Sequence, residues 1–406
     1  KQLETSRQMQ QRLIEGDKVL WALLALLALF SFFPIFSASS NLSYVVGGAT
    51  PWQYLLKHTF ILITGFLLIL SVHKIPFYYF KGISILLLPI VILMLLYTIS
   101  QGNMIDGVNA SRWIKIPIIG ISFQTSSLAS LVLMIYIAYY LDKVKEQKTD
   151  FKNSLFPLWT PIFLIFILVF PTNLSTALIV LFTVFLILIY GSYPIKYLFN
   201  IFLIGFFSFT TFIFLAIQYP EKAPDRLGTW INRVENYFNP SLSKDGNYQI
   251  ERAKIAIASG GITGLGVGKS VMKNFLPQSS SDFIYAIIVE EYGLIGGIMV
   301  ILIYLLILFR ITVILHHASS AYGKLLVIAT GLPIIIQAFI NIGVALNIFP
   351  VTGQTLPLLS SGGSAAWVTC IAFGIILSVS EERFSQGRIK QAKSVSNPLL
   401  IISEEK

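Results

Sequence analysis

At 406 residues, 55% hydrophobic and only 12% charged, with a mean hydropathy of +0.76, the chain is too apolar for a soluble domain and reads as a polytopic membrane protein. Its net charge of +10 is spread over the loops between apolar runs, which excludes a basic nucleic-acid-binding domain and fits topology and lipid-headgroup charges. One cysteine, Cys370, inside an apolar run excludes an intrachain disulfide and a cysteine metal cluster, and the four histidines lack ligand spacing.

A membrane span takes about 20 apolar residues. Ten segments qualify in chain order: 18–36, 55–72, 79–98, 125–141, 156–170, 172–190, 197–218, 283–309, 323–346 and 362–381. The fifth and sixth are separated only by Pro171-Thr172-Asn173, a tight turn in which Asn173 starts the returning helix. Because the tail before the first run is polar and that run is long, it is expected to be a retained span. Lysines and arginines gather in alternate loops, from Lys18 through Lys74, Lys81, Lys143, Lys196, Arg310 and Lys324 to Arg383, so both termini are expected in the cytoplasm. The expected fold is an all-α polytopic integral membrane protein of about ten helices, with one large extracytoplasmic loop at about 219–281 that contains short helices. Residues 1–17 form an N-terminal tail, 18–382 the membrane domain and 383–406 a polar, unstructured C-terminal tail whose cations face anionic lipid. Within the large loop, Arg226–Phe238 and Gln249–Ser259 have helical periodicity, with turn signals at Asn239-Pro240 and Lys244–Asn247.

Three constellations carry chemistry. The first is the junction Gly260–Gly297, where a glycine-rich polar loop becomes an apolar segment entered by Asp282 and, two turns on, by Glu290 and Glu291. An acid entering a membrane helix costs roughly 2.5–3.5 kcal/mol unpaired and is a functional candidate for that reason. Asp282 also suits a helix start, where the dipole holds a carboxylate ionised; ionised at a cavity mouth, it can accept a proton from a sugar hydroxyl or bind a divalent cation. Glu290 and Glu291 alternatively pair with Arg252 or Lys254 as structural acids. The Gly268-Lys269-Ser270 triplet does not complete a phosphate loop, which needs glycine where Thr263 stands. The glycines nonetheless let backbone amides approach an anion, with Lys269 and Lys273 beside them. The second constellation is Asn109–Lys115, in which Arg112, Trp113 and Lys115 suit either an interfacial belt or an anion site. The third is Asn341–Ser364, rich in Pro, Gly, Ser and Thr and including Ser360 and Ser361; such irregular backbone survives at membrane depth only when buried in protein or lining a cavity.

Four segments in order, GVNASRWIKI with SFQ, RVENYFNPSLSKDGNYQ with AIASGGITGLGVGKS, LPQSSSDFIYAIIVEEYG and NIGVALNIFPVTGQTLPLLSSGGSA, resemble the SEDS family (shape, elongation, division and sporulation) over roughly residues 15–385, and its division-type more than its elongation-type members. The resemblance implies a peptidoglycan glycosyltransferase that polymerises lipid II on the outer face of the cytoplasmic membrane, beside a class B penicillin-binding protein and other division proteins. It places the family's essential aspartate on Asp282, as base or metal-assisted activator. It leaves Arg112, Lys115, Lys269 and Arg252 to hold the diphosphate of undecaprenyl-linked glycan, with Trp113, Lys273, Glu290, Ser360 and Ser361 as further diphosphate or sugar contacts. No cofactor is evident beyond a possible divalent cation at Asp282. Two departures stand out: the family's FQPSELAKL is here FQTSSLASL, so Thr125, Ser127 and Ser130 replace proline, glutamate and lysine, and Asn173 replaces the aspartate of PDLGTA. Losing both members of an ion pair costs far less than losing one. Rival readings are a lipid II flippase, an elongation-type polymerase and a division scaffold. The inner halves of the spans are nearly free of polar groups, which favours outer-face chemistry over a translocation path.

Overall fold

The structure, a computed structural model, describes residues 15–45, 50–100, 104–105, 108–109, 113–115, 122–147, 150–218, 228, 230, 237–238, 244–276 and 279–396. Its membrane helices are α1 (Lys18–Val45), α2 (Pro51–Val72), α3 (Phe80–Ser100), α4 (Thr125–Val144), α5 (Phe151–Val169), α6 (Leu174–Tyr190) and α7 (Ile195–Gln218). After α8 (Lys244–Gly260) come α9 (Ile284–His317), α10 (Ala321–Ala345) and α11 (Ser364–Ser396). Nine helical segments among the described residues are long and apolar enough to cross a membrane, and α6, at 17 residues, completes the ten expected. Local chemistry sets their ends. The Gln53 side chain caps α2 by accepting the Thr50 amide at 2.9 Å, ahead of Pro51. Asn173 accepts the Thr176 amide at 3.3 Å to start α6, as the tight turn predicts.

Helix α10 is the hub. It packs on α4, α6, α9 and α11, while α2 lies along α11 and α1 sits between α2 and α9. Helix α7, by contrast, is almost wholly exposed along its apolar length. At the Arg310 end of the bundle, Asp17 caps α1 by accepting the Leu20 amide at 2.9 Å, takes two hydrogen bonds from the Arg310 guanidinium and donates its own amide to Ser380 Oγ at 3.0 Å. Three helices are thereby tied at one residue, two of them through its carboxylate.

The structure differs from the sequence expectations in four places. The segment after Ser100 contains two short antiparallel pairs, β1 (Met104–Ile105) with β2 (Val108–Asn109) and β3 (Trp113–Lys115) with β4 (Ser122–Gln124), strands too short to leave a periodic signal. Only the second of the two loop helices falls in the described residues, lengthened to α8; Arg226–Phe238 lies largely outside them. Helix α9 is not continuous, because Gly293 at φ 70°, ψ −170° divides it into two helical halves. The tail expected to be unstructured from Arg383 is helical to Ser396, since its Glu, Arg, Gln, Lys and Ala residues favour helix up to Asn397-Pro398.

Candidate active site

The break in α9 explains the glycine-rich loop. Around the non-helical Gly293, peptide groups of α9 pair with residues 261–266. Leu265 and Gly266 donate to the carbonyls of Glu290 and Glu291 at 2.9 and 3.0 Å, and Leu294 and Ile295 donate to Gly261 and Ile262 at 2.9 and 3.3 Å. This approach leaves no space for side chains: a Cβ on Gly264 would strike the Glu291 carbonyl, and one on Gly293 the Ile262 carbonyl. The glycines thus serve close backbone contact within the protein.

The two glutamates on this half-helix are buried, at 0% and 1% exposure. Glu290 accepts from Ser270 Oγ at 2.5 Å and from the Val271 and Met272 amides at 2.9 and 3.1 Å. Glu291 accepts from Ser37 Oγ on α1 and from the Ser270 amide at 3.4 Å. Lys273 donates to Ser37 Oγ at 3.2 Å and to the Gly268 carbonyl at 2.8 Å. Neither glutamate pairs with Arg252, whose guanidinium lies over Tyr248 and Phe275 at 4.9 and 5.5 Å from their ring centroids.

Asp282 sits at the other end of the same half-helix. The helix starts at Ile284 with Phe283 in the capping position, so Asp282 is not the cap; it stands in the preceding turn with its side chain on a cavity wall. That turn is stitched to the irregular segment 346–363. Asn341 of α10, 1% exposed, donates to the Asp282 carbonyl at 2.8 Å and the Gln354 carbonyl at 2.6 Å. Ser360 Oγ donates to the Ser281 carbonyl at 2.6 Å, and Ser361 reaches the Ser280 carbonyl through both its amide and its hydroxyl, each at 2.9 Å. Leu356, Leu358 and Leu359 anchor the segment, each no more than 2% exposed, and Tyr304 donates to the Pro357 carbonyl at 2.5 Å. The irregular backbone is therefore buried in protein and borders a cavity, as its depth requires.

The cavity holds about 530 Å³, inside the range typical of small-ligand sites. Helices α1, α2, α4, α6, α10 and α11 wall it, with Gln124 of β4, Asp282 and Gly353–Thr355 at one end. Its polar lining runs through Ser127 and Ser130 of α4, Thr176 and Thr183 of α6, and Thr330 and Gln337 of α10. Pro333 of α10 also lines it and, lacking an amide hydrogen, leaves the Ala329 carbonyl without its helical donor. Side-chain amides brace the wall: Gln354 donates to Thr176 Oγ1 and Gln337 to the Thr355 carbonyl, both at 2.8 Å. Gly353, at φ 68°, faces the carboxylate closely enough that a Cβ there would lie 3.5 Å from Asp282 Oδ2.

Of the residues singled out in the sequence, Asp282 and Ser361 line this cavity. Ser360 supports it from behind, while Arg252, Lys269, Lys273 and Glu290 are not part of the lining. Trp113 and Lys115 are tied to its rim through the backbone, since Trp113 pairs with Gln124, whose amide donates to Ser364 Oγ at 2.8 Å. Arg112 lies outside the described residues. The two serines that replace the glutamate and lysine of the related motif both face the cavity, so that wall carries hydroxyls where charges would stand. Sequence reasoning passed over Lys57 and His58, which line the cavity from α2; the signal was present as a cation inside an otherwise apolar run. No cluster of three or more His, Cys, Asp or Glu residues suited to a metal ion occurs among the described residues.

A family model described as cell cycle protein, FtsW, RodA and SpoVE, matches residues 17–385. A probable peptidoglycan glycosyltransferase FtsW of Nitrosococcus halophilus is 28% identical over 82% of this chain and 84% of its own length. The stage V sporulation protein E of Bacillus subtilis is 32% identical over 67% of this chain and 72% of its own. Among solved structures, a chain from work on the coordination of polymerization and crosslinking by a peptidoglycan synthase complex aligns with a TM-score of 0.70 at 23% identity, covering 91% of this chain and 98% of that one. The rod shape determining protein RodA of Thermus thermophilus aligns with a TM-score of 0.64 over the same shares, also at 23% identity.

Proposed function

The chain belongs to the FtsW, RodA and SpoVE family of cell cycle proteins, and we propose that it is a peptidoglycan glycosyltransferase that joins lipid II units into glycan during septal wall synthesis. The observation that carries this reading is the Asp282 carboxylate on the wall of a cavity of about 530 Å³, its backbone held by Asn341 and its turn by Ser360 and Ser361. In the proposed reaction the 4-hydroxyl of a lipid II GlcNAc attacks C1 of the MurNAc at the end of the growing chain. The new C1–O bond forms as the bond to diphosphate breaks, the electron pair leaves with undecaprenyl diphosphate, and the hydroxyl proton passes to Asp282. A positioned base contributes typically 10²–10⁴-fold to such a step. A divalent cation, if used, would be held by Asp282 together with substrate diphosphate oxygens, since hard cations take oxygen ligands.

The site faces the outside of the cytoplasmic membrane in this reading, because the lysine- and arginine-rich loops then fall in the cytoplasm. A class B penicillin-binding protein is the proposed partner, since polymerised glycan must be crosslinked. Polymerisation of purified lipid II by the reconstituted chain, with and without that partner, tests the proposal. Wild type should make glycan, and Asp282→Asn should insert and melt normally but make none. One observation favours a transport alternative, the discontinuous helix α9, whose first half follows the cavity residue Asp282; discontinuous helices are a feature of secondary transporters. Lipid II crossing the bilayer without glycan formation by wild type would establish it.

A further inference from the structure

Among the described residues, the cavity has two charged lining side chains, Asp282 and Lys57. Lys57 lies six residues into α2, about 9 Å along its axis from Pro51. It belongs to the stripe Tyr54, Lys57, His58 and Ile61, the i, i+3, i+4, i+7 pattern of one helix face, which lines the cavity; Leu56, Phe60, Ile63 and Leu67 are exposed on the opposite side. His58 is already committed, buried with its Nε2 2.8 Å from Ser31 Oγ. Lys57 makes no hydrogen bond or ion pair with any described residue. Its side chain is exposed, so the ammonium group is accessible to an anion that enters the cavity.

Three of the other cations considered for substrate charge are engaged or elsewhere. Lys273 is bonded to Ser37 and Gly268, Arg252 lies over two aromatic rings, and Lys269 is outside the cavity lining. The serines at positions 127 and 130 offer hydroxyls but no charge.

We propose that Lys57 is the cation that binds the diphosphate of the lipid-linked sugar in this cavity, an assignment that rests on the glycosyltransferase reading. Charge accumulates on the diphosphate as the sugar C1–O bond breaks, so an ammonium group on the same cavity holds substrate and stabilises the leaving group. The same ammonium chemistry would also suit the phosphate of an ordinary phospholipid, reached by snorkelling of the side chain.

The test uses the full chain in nanodiscs of neutral lipid, with undecaprenyl diphosphate as the probe and phosphatidylglycerol as the second arm. Lys57→Ala and the size-matched Lys57→Gln should each weaken undecaprenyl diphosphate binding about tenfold or more, the expectation for losing one charge-assisted hydrogen bond, while Lys57→Arg retains most of it. Phosphatidylglycerol retention should not change in any variant, and melting temperatures should match wild type. Unaltered diphosphate binding in both neutral variants, or loss of phosphatidylglycerol with diphosphate binding intact, overturns the assignment. If wild type makes glycan and only the Lys57 result fails, the enzyme reading stands and the lysine assignment falls. If wild type neither makes glycan nor binds the diphosphate, both fall.

Discussion

Replacing Gly293 with alanine should damage this protein far more than an ordinary glycine substitution, and the interruption of α9 gives the size of the effect. The residue occupies φ 70°, ψ −170°, a region essentially restricted to glycine, and forcing a side chain there costs on the order of 1–3 kcal/mol. The new methyl group would also collide with the Ile262 carbonyl, so the loop must retreat and the bonds from Leu294 to Gly261 and from Ile295 to Ile262 are lost. At about 1 kcal/mol net for each bond, the total is about 3–5 kcal/mol. Gly261 is the matched control: it too has a positive φ, 54°, but nothing lies within 4 Å of the position a Cβ would take there, so Gly261→Ala carries only the left-handed cost of about 1–2 kcal/mol. The assay is thermal unfolding of both variants in the same nanodisc at one scan rate, with polymerisation measured in parallel, because the Ile284–Tyr292 half-helix that follows Asp282 is held by this junction. Equal melting temperatures for the two variants would refute the contact argument.

Asn341→Ala should leave the Asp282 and Gln354 carbonyls without their side-chain donor, costing about 2–3 kcal/mol and lowering kcat although Asp282 is still present; thermal melting with steady-state kinetics checks both. Glu290→Gln trades a buried carboxylate that accepts three hydrogen bonds for an amide with one acceptor oxygen, so limited proteolysis should cut the 260–276 loop faster, with Ser270→Ala milder. Removing Asp17 or Arg310 alone should destabilise by about 2 kcal/mol, less than for a fully buried pair because Arg310 retains 23% exposure, and the double variant Asp17→Asn with Arg310→Met should recover part of that loss in a melting cycle.

Much of the protein was legible in the residues themselves. Ten apolar runs of spanning length specify ten membrane helices, because hydrocarbon tolerates few other backbone states. Asn173 marked its own turn, and Asp282 drew notice as an acid at the edge of an apolar segment, a costly placement that sequence alone reveals. Other features arose only from the way the helices meet. The glycines at 264–268 suggested an anion cradle, yet the neighbour of Gly264 is the broken backbone of α9, some 30 residues away in sequence, and a missing Cβ reads the same whether phosphate or peptide fills the space. Glu290 and Glu291 are close to Asp282 on one helical segment, but three-dimensional placement sends them into a buried network with Ser37 and Ser270 while Asp282 meets the cavity. Lys57 was visible as a lone cation in a span, but whether it met lipid or cavity depended on how α2 turns against α1 and α11. Composition and periodicity thus determine which segments enter the membrane, since transfer from water is a sum over local groups. The site depends on contacts between residues far apart in the chain, which only the packed tertiary structure decides.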